Sequence, residues 1–184
     1  MKIYISILSL CFVACSFAGH AQTVTPSITI GTHVLTLGMP ESVVLEQLGS
    51  DLTISHPKTD PTSWVVTKKA GSIFSALGTV SFTAHRLSDA TREWYIDIDG
   101  PSSKSFFYAI DAASKSLEHE GFTNCQLHTF DNDYMSDVGS GSGSLDSKSV
   151  ILNCGMKRID ITLFLSDVPN TASDITVTES LSSR

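Results

Sequence analysis

Basic residues are in short supply. Twelve Lys and Arg stand against 19 Asp and Glu, for a formal net charge of −7, and no basic patch forms along the chain. Nucleic acids are held through clustered Lys and Arg at the phosphates, so this composition excludes nucleic acid as a partner. Long apolar runs are also missing. The one marked run, within MKIYISILSLCFVACSFAGHA, is about a dozen residues long, short of the ~20 that a spanning helix needs. Catalytic signatures are absent too: there is no HExxH, no CxxC and no P-loop. Gly139–Gly143 lacks the Ser-centred strand-to-helix setting of a nucleophile elbow. The chain therefore reads as no enzyme, with no cofactor and no metal site. Cysteine is scarce: of four, Cys11 and Cys15 lie in the N-terminal run and only Cys125 and Cys154 in the body.

What is present at the N-terminus has the order of a secretory signal peptide: Lys2, an apolar run, then small residues. Two cut sites compete. Cleavage after Ala21 leaves Gln22 first and removes Lys2 but no acidic residue, so the mature chain is more acidic still. Alternatively, Phe12-Val13-Ala14-Cys15 resembles a bacterial lipobox; Ala14 fits, and Phe12 stands where Leu is usual. Lipidation at Cys15 would make an outer-membrane lipoprotein; otherwise the protein is periplasmic or secreted and meets no membrane.

In an oxidising compartment the isolated pair Cys125 and Cys154 forms a disulfide. If the two face each other on antiparallel strands, Gln126 meets Asn153, Leu127 meets Leu152, His128 meets Ile151 and Thr129 meets Val150. Side chains alternate with period two, so one face is apolar and the other mostly polar, as a half-buried sheet requires. The centre of this hairpin falls between Gly139 and Ser140, making Ser136–Ser149 a long hairpin loop and not an interdomain linker.

Elsewhere, 27–37 reads as short strands around Gly31. Residues 38–49 read as a helix with Pro40 and Glu41 in its first turn, Val44 and Leu48 on one face and Gly49 at its C-cap. A strand follows at 62–69, a loop at 70–78, and a hairpin at 78–98 turning near Ala84–Arg86. Asp99–Ser103 is the internal boundary. A long helix then carries Phe106, Ile110, Ala113 and Leu117 at helical spacing and ends at Gly121, with Phe122 folding back. Strands near 122–130, 149–154, 157–166 and 174–181 complete the chain. VSFT-AHR-LSDAT and ILNC-GMK-RIDIT both read as strand, basic tight turn, strand, which suggests a structural duplication. The expected fold is α+β, with helices packed on one face of an antiparallel sheet in two tandem helix-plus-strands units. The domains are then 1–21 (signal peptide), 22–98 (first unit) and 99–184 (second unit, with the disulfide hairpin).

LGMPESVVLEQLG, then Trp64-Val65-Val66, then Val80-Ser81-Phe82 and Leu87, resembles the SmpA/OmlA family over residues 38–87. Those are small outer-membrane lipoproteins of the β-barrel assembly machinery. The double organisation is similar to a secreted β-lactamase inhibitor protein of tandem helix-plus-sheet repeats. The whole chain, with REWYI, EGFTNC and CGMKRIDI, looks like secreted proteins of environmental bacteria that have no assigned function. The resemblance implies an envelope setting and another envelope protein as partner.

The residues able to carry chemistry are scattered. His33, His56, His85, His119 and His128 form no constellation; His119 suits the negative end of the long helix. The pairs His56/Asp60 and His85/Asp89 have i, i+4 spacing but lie on no predicted helix. Asp131, Asn132, Asp133 and Asp137 are oxygen-rich but lack the spacing of a calcium loop. Trp64 and Trp94 read as core, and Arg86, Lys157 and Arg158 as solvated turn residues. The expected function is a non-catalytic, secreted or periplasmic protein-binding module, in an assembly, scaffold or inhibitor role. The alternative is a small periplasmic enzyme or ligand-binding protein, with His128, Asp131 and Asp133 gathered near the hairpin.

Closing the loop between Cys125 and Cys154 removes entropy from the unfolded chain. Replacing Cys154 with Ser is expected to lower stability by about 3–4 kcal/mol in the chain-entropy description. Urea unfolding of the variant and of the reduced protein measures it, and free thiols in the native protein would refute the pairing.

Overall fold

A computed structural model describes residues 25–57, 60, 62–94, 101–122, 124–138, 141–167 and 172–183; for 132–138 and 141–143 it describes the backbone alone. The signal segment with Cys11 and Cys15, the stretch holding Ile96 and Ile98, the boundary residues Asp99 and Gly100, and the tip Gly139–Ser140 lie outside the described residues.

Chain order begins with β1 (Ser27–Ile30), β2 (His33–Thr36), α1 (Glu41–Gly49), β3 (Thr53–Ser55), β4 (Ser63–Ala70), β5 (Ile73–Thr83) and β6 (Arg86–Glu93). It continues with α2 (Ser103–His119), β7 (Gln126–Val138), β8 (Gly141–Cys154), β9 (Lys157–Ser166) and β10 (Asp174–Ser182). The α+β expectation is overturned. The structure is mostly strand, about 56%, and among the described residues only two helices accompany one eight-stranded sheet and one two-stranded sheet. The large sheet is antiparallel throughout, in the order β3-β4-β5-β6-β10-β9-β8-β7. It is continuous across the middle: β6 and β10 pair from Thr178↔Glu93 to Ser182↔Asp89. Two four-stranded meanders therefore share one hydrogen-bonded sheet. The two turns that look alike in sequence join β5 to β6 and β8 to β9. These are different positions within the two meanders, so the likeness does not mark equivalent hairpins.

Period two decides what each strand buries. Ile159, Ile161 and Leu163 of β9, and Val177, Glu179 and Leu181 of β10, are buried, and the residues alternating with them are half-exposed. The buried face is covered in two places. One cluster packs β1, β2 and α1, through Ile28, Ile30, Leu35, Val44 and Leu48, on Val66, Val80, Leu87 and Ala90. The other packs α2, through Phe106, Ala109, Ala113 and Leu117, on Val150, Leu152, Ile159 and Ile161.

Local chemistry sets the helix ends. Pro40 precedes α1, and its carbonyl accepts from the N–H groups of Val43 and Val44 at 3.1 Å each. The turn Ala84–His85 has positive φ at both residues (50° and 58°), the backbone of a tight hairpin. That turn clasps α1: Glu41 N–H donates to the His85 carbonyl at 3.0 Å, and Arg86 Nη1 to the Gly38 carbonyl at 2.8 Å. Arg86 is thus a clasp and not merely solvated. Gly49 is no C-cap: Ser50 holds that place, in right-handed helical conformation. Ser102 caps α2 by accepting from Ser105 N–H at 3.1 Å. Gly121 (φ 86°) ends it, and Phe122 N–H returns to the Leu117 carbonyl at 2.9 Å.

The disulfide Cys125–Cys154 is present, with Cα atoms 4.3 Å apart. The β7–β8 register runs Gln126↔Asn153, Leu127↔Leu152, His128↔Ile151 and Thr129↔Val150, as expected. Two readings need correction. Ser136–Ser149 is no long loop, because the same register continues to Val138↔Gly141. Residues 70–78 are no loop either: β5 begins at Ile73 and pairs with β4 from Ala70↔Ile73.

The β4–β5 register slips between Val66↔Gly78 and Thr67↔Ala76, leaving Leu77 as the extra residue of a bulge. Gly78 is required there. A Cβ on it would lie 1.9 Å from the Thr91 carbonyl oxygen, which is backbone and cannot swing aside. Gly78→Ala should cost about 3 kcal/mol, the upper end of what overpacking typically costs. The urea midpoint measures this; an unchanged midpoint would mean β5 and β6 are not in such close approach.

Candidate functional site

Three strands turn a charged side chain toward the buried face. Alternation carries Lys157 inward with Ile159 and Ile161, Glu179 with Val177 and Leu181, and Arg92 with Ala90. Lys157 is 1% exposed and Glu179 0%, so the expectation that Lys157 is a solvated turn residue fails. Its neighbour Arg158, by contrast, lies on the other face and pairs with Asp160 at 2.7 Å, which raises the guanidinium pKa further.

The inward charges meet where the two apolar clusters part. Lys157 Nζ lies 2.7 Å from Glu179 Oε1, donates to the Ser27 carbonyl at 3.0 Å, and pairs with Glu120 at the C-terminal end of α2. Arg92 Nε donates to Glu179 Oε2 at 2.5 Å, and its Nη1 to the Thr29 carbonyl at 3.2 Å. Trp94 Nε1 donates to Glu179 Oε2 at 2.8 Å, and the Arg92 guanidinium lies 5.1 Å from the Trp94 ring centroid. Two cations face two carboxylates, so the cluster is internally neutral. It ties β1, β6, β9, β10 and the end of α2 together.

Above it opens a cleft of about 510 Å3, lined by Thr29, Gly31, Leu77, Arg92, Glu93, Trp94 and Ser116. The β5 bulge puts Leu77 on its wall. Arg92, which lines the cleft, is committed to the buried Glu179, which suits holding the fold better than moving a proton.

The other expected residues are dispersed. His33 pairs with Asp51 at 2.6 Å, and that hydrogen bond is the main cause lowering the Asp51 pKa. His56 stacks on Trp64 with ring centroids 3.5 Å apart and donates from Nδ1 to the Ser63 carbonyl at 3.1 Å. Asp60 accepts from the Ser63 and Thr62 hydroxyls and the Thr62 N–H, which hold its carboxyl down at about 2. His85 turns to Glu41 at 2.8 Å. Asp89, half-buried in the sheet, is pushed up by burial against a hydrogen bond from Ser182. His119 is exposed in the last turn of α2. His128 and Asp131 are both exposed on β7, but an odd spacing puts them on opposite faces, and Asp131 pairs with Lys148 at 3.1 Å. The side chains of Asn132, Asp133 and Asp137 lie outside the described residues. Trp64 packs against the first apolar cluster and Trp94 against the second. Among the described residues, no three His, Cys, Asp or Glu side chains are placed to hold a metal ion.

The opposite face of the sheet carries none of the covering elements. It presents half-exposed hydroxyls bonded across strands: Ser63 with Ser81 at 2.8 Å, Thr79 with Thr91 at 2.8 Å, and Ser149 with Thr162 at 3.0 Å. Phe130, Ile151 and Phe164 stand among hydroxyls toward the β7 edge, and Phe130 is 51% exposed. Comparison with protein-family models, curated proteins and solved structures finds no match to the chain.

Lys157→Met leaves Glu179 with one cation fewer in a buried site and should cost about 3–5 kcal/mol. The double variant Lys157→Met/Glu179→Leu should cost less than Lys157→Met alone, since Arg92 can turn to the cleft. Urea unfolding of the full double-mutant cycle checks this; additive costs would show that the two residues do not act as one unit.

Proposed function

We propose that this chain is a non-catalytic protein-binding module of the cell envelope, exported from the cytoplasm, whose contact surface is the uncovered face of the eight-stranded sheet. The observation that carries the reading is that face itself. Among Ser and Thr hydroxyls it sets aromatic side chains at Phe130 and Phe164, the residue type that protein interfaces favour. It also runs out to β7, which among the described strands pairs only with β8 and so offers its other edge to a partner strand. The SmpA/OmlA resemblance points to the same setting, an envelope protein that works by contacting another. The cation lining the cleft, Arg92, is spent on the buried Glu179, so the enzyme alternative has less to rest on.

The test is site-specific photo-cross-linking in the producing cell. A benzophenone side chain at Phe130 or Phe164, on the uncovered face, should give a discrete protein adduct. The same group at Leu127, exposed on the same strand but directed to the other face, should not. Adducts from neither Phe130 nor Phe164, or equally from all three, would refute the assignment of this face.

A further inference from the structure

The β4–β5 hairpin reaches beyond the described parts of the neighbouring strands β3 and β6. The last β4 residue paired with β3 is Thr67, and the first β5 residue paired with β6 is Gly78. Past those points the ribbon pairs, among the described residues, only with itself, through Lys68↔Ser75, Lys69↔Phe74 and Ala70↔Ile73. Three such pairs project by roughly 10 Å. All residues from Lys68 to Ala76 are exposed.

The order of side chains along this ribbon is specific. Outermost are Ala70, Gly71, Ser72, Ile73 and Phe74, with Ile73 67% and Phe74 56% exposed. Being adjacent in a strand, Ile73 and Phe74 point to opposite faces, so the end is apolar on both sides. Lys69 stands directly opposite Phe74 and Lys68 one pair behind, opposite Ser75, so the two lysines point to opposite faces. Lys69 Nζ stands 5.6 Å from the Phe74 ring centroid. Neither lysine belongs to any ion pair among the described residues. An apolar end with a cationic collar sits on a chain whose net charge is −7.

We infer that this hairpin is an insertion tip for an anionic lipid surface. Ile73 and Phe74 enter the boundary between headgroups and acyl chains, while Lys68 and Lys69 lay their stems along it and keep their ammonium groups at the lipid phosphates. The charge distribution selects this partner and its orientation. The acidic body is repelled by an anionic surface and the collar attracted, so the molecule meets the membrane end-on through the tip. The attachment needs no acyl chain, and it is separate from the sheet face assigned to protein contact.

The test is vesicle sedimentation of the full chain in a Cys15→Ser background, which removes any lipid anchor. Vesicles containing phosphatidylglycerol are compared with phosphatidylcholine vesicles at roughly 0.15 M salt. Binding to the anionic vesicles alone is expected. Lys68→Gln/Lys69→Gln should weaken it roughly 25-fold, about fivefold for each charge. Ile73→Thr/Phe74→Thr should weaken it at least about tenfold. Each of these side chains is exposed, so urea midpoints should hold. Phe74→Trp should shift its emission to the blue with anionic vesicles and be quenched by brominated acyl chains. No binding, equal binding to both vesicle types, or binding that survives the tip variants would overturn the inference. So would a benzophenone at Phe74 that cross-links a protein while vesicles leave Phe74→Trp unchanged. Cross-links from Phe130 and Phe164 are read separately, so either assignment can fail alone.

Discussion

The ion pair between Lys157 and Glu179, buried where two apolar clusters meet, is the constraint around which the molecule is arranged. Neither charge could sit there alone, since an unpaired buried charge costs several kcal/mol. Lys157 therefore requires Glu179 on the next strand and Glu120 at the end of α2; Glu179 requires Arg92 and Trp94. Each requirement fixes a register or a helix position. Lys157 also donates to the Ser27 carbonyl and Arg92 to that of Thr29, so the β1–β2 hairpin is held by the same charges. Apolar packing alone would tolerate small slips among these elements, and the paired charges do not.

The location of these charges was legible in the sequence, although a local reading misplaces them. Ile159, Ile161 and Leu163 alternate, and extending that alternation two residues back brings Lys157 inward. The same step takes Val177 to Glu179. A charged residue beside a tight turn suggests solvent, but period two is the stronger signal in a strand that is buried on one side. The β7–β8 register was legible because a disulfide supplies a fixed pairing and alternation then extends it. The end of α2 was legible from Gly121 and Phe122.

Other features left no local mark. Residues 70–78 read as a loop because both faces of the projecting ribbon are exposed, so burial imposes no alternation on them. Ser136–Ser149 read as a loop because Gly and Ser are poor strand formers, whereas the backbone pairing begun at the disulfide continues through them. The bulge at Leu77 depends on the approach of β6 to Gly78, a contact between distant segments. The continuous sheet, which replaces the expected α+β arrangement, rests on β6 pairing with β10, some ninety residues later in the chain. Periodicity states which way a side chain points and is silent about which strand lies alongside.

That central pairing has a consequence for how the chain is made. β10 comes last among the described strands in chain order but lies in the middle of the sheet, and it brings Glu179 with it. While synthesis proceeds from the N-terminus, β6 has a free edge, β9 has another, and Lys157 has lost its most buried counter-charge. The two meanders can form their hairpins early, because those contacts are local, but they cannot join until β10 emerges. Joining of the two meanders thus waits for β10, and until it is made each keeps an open edge.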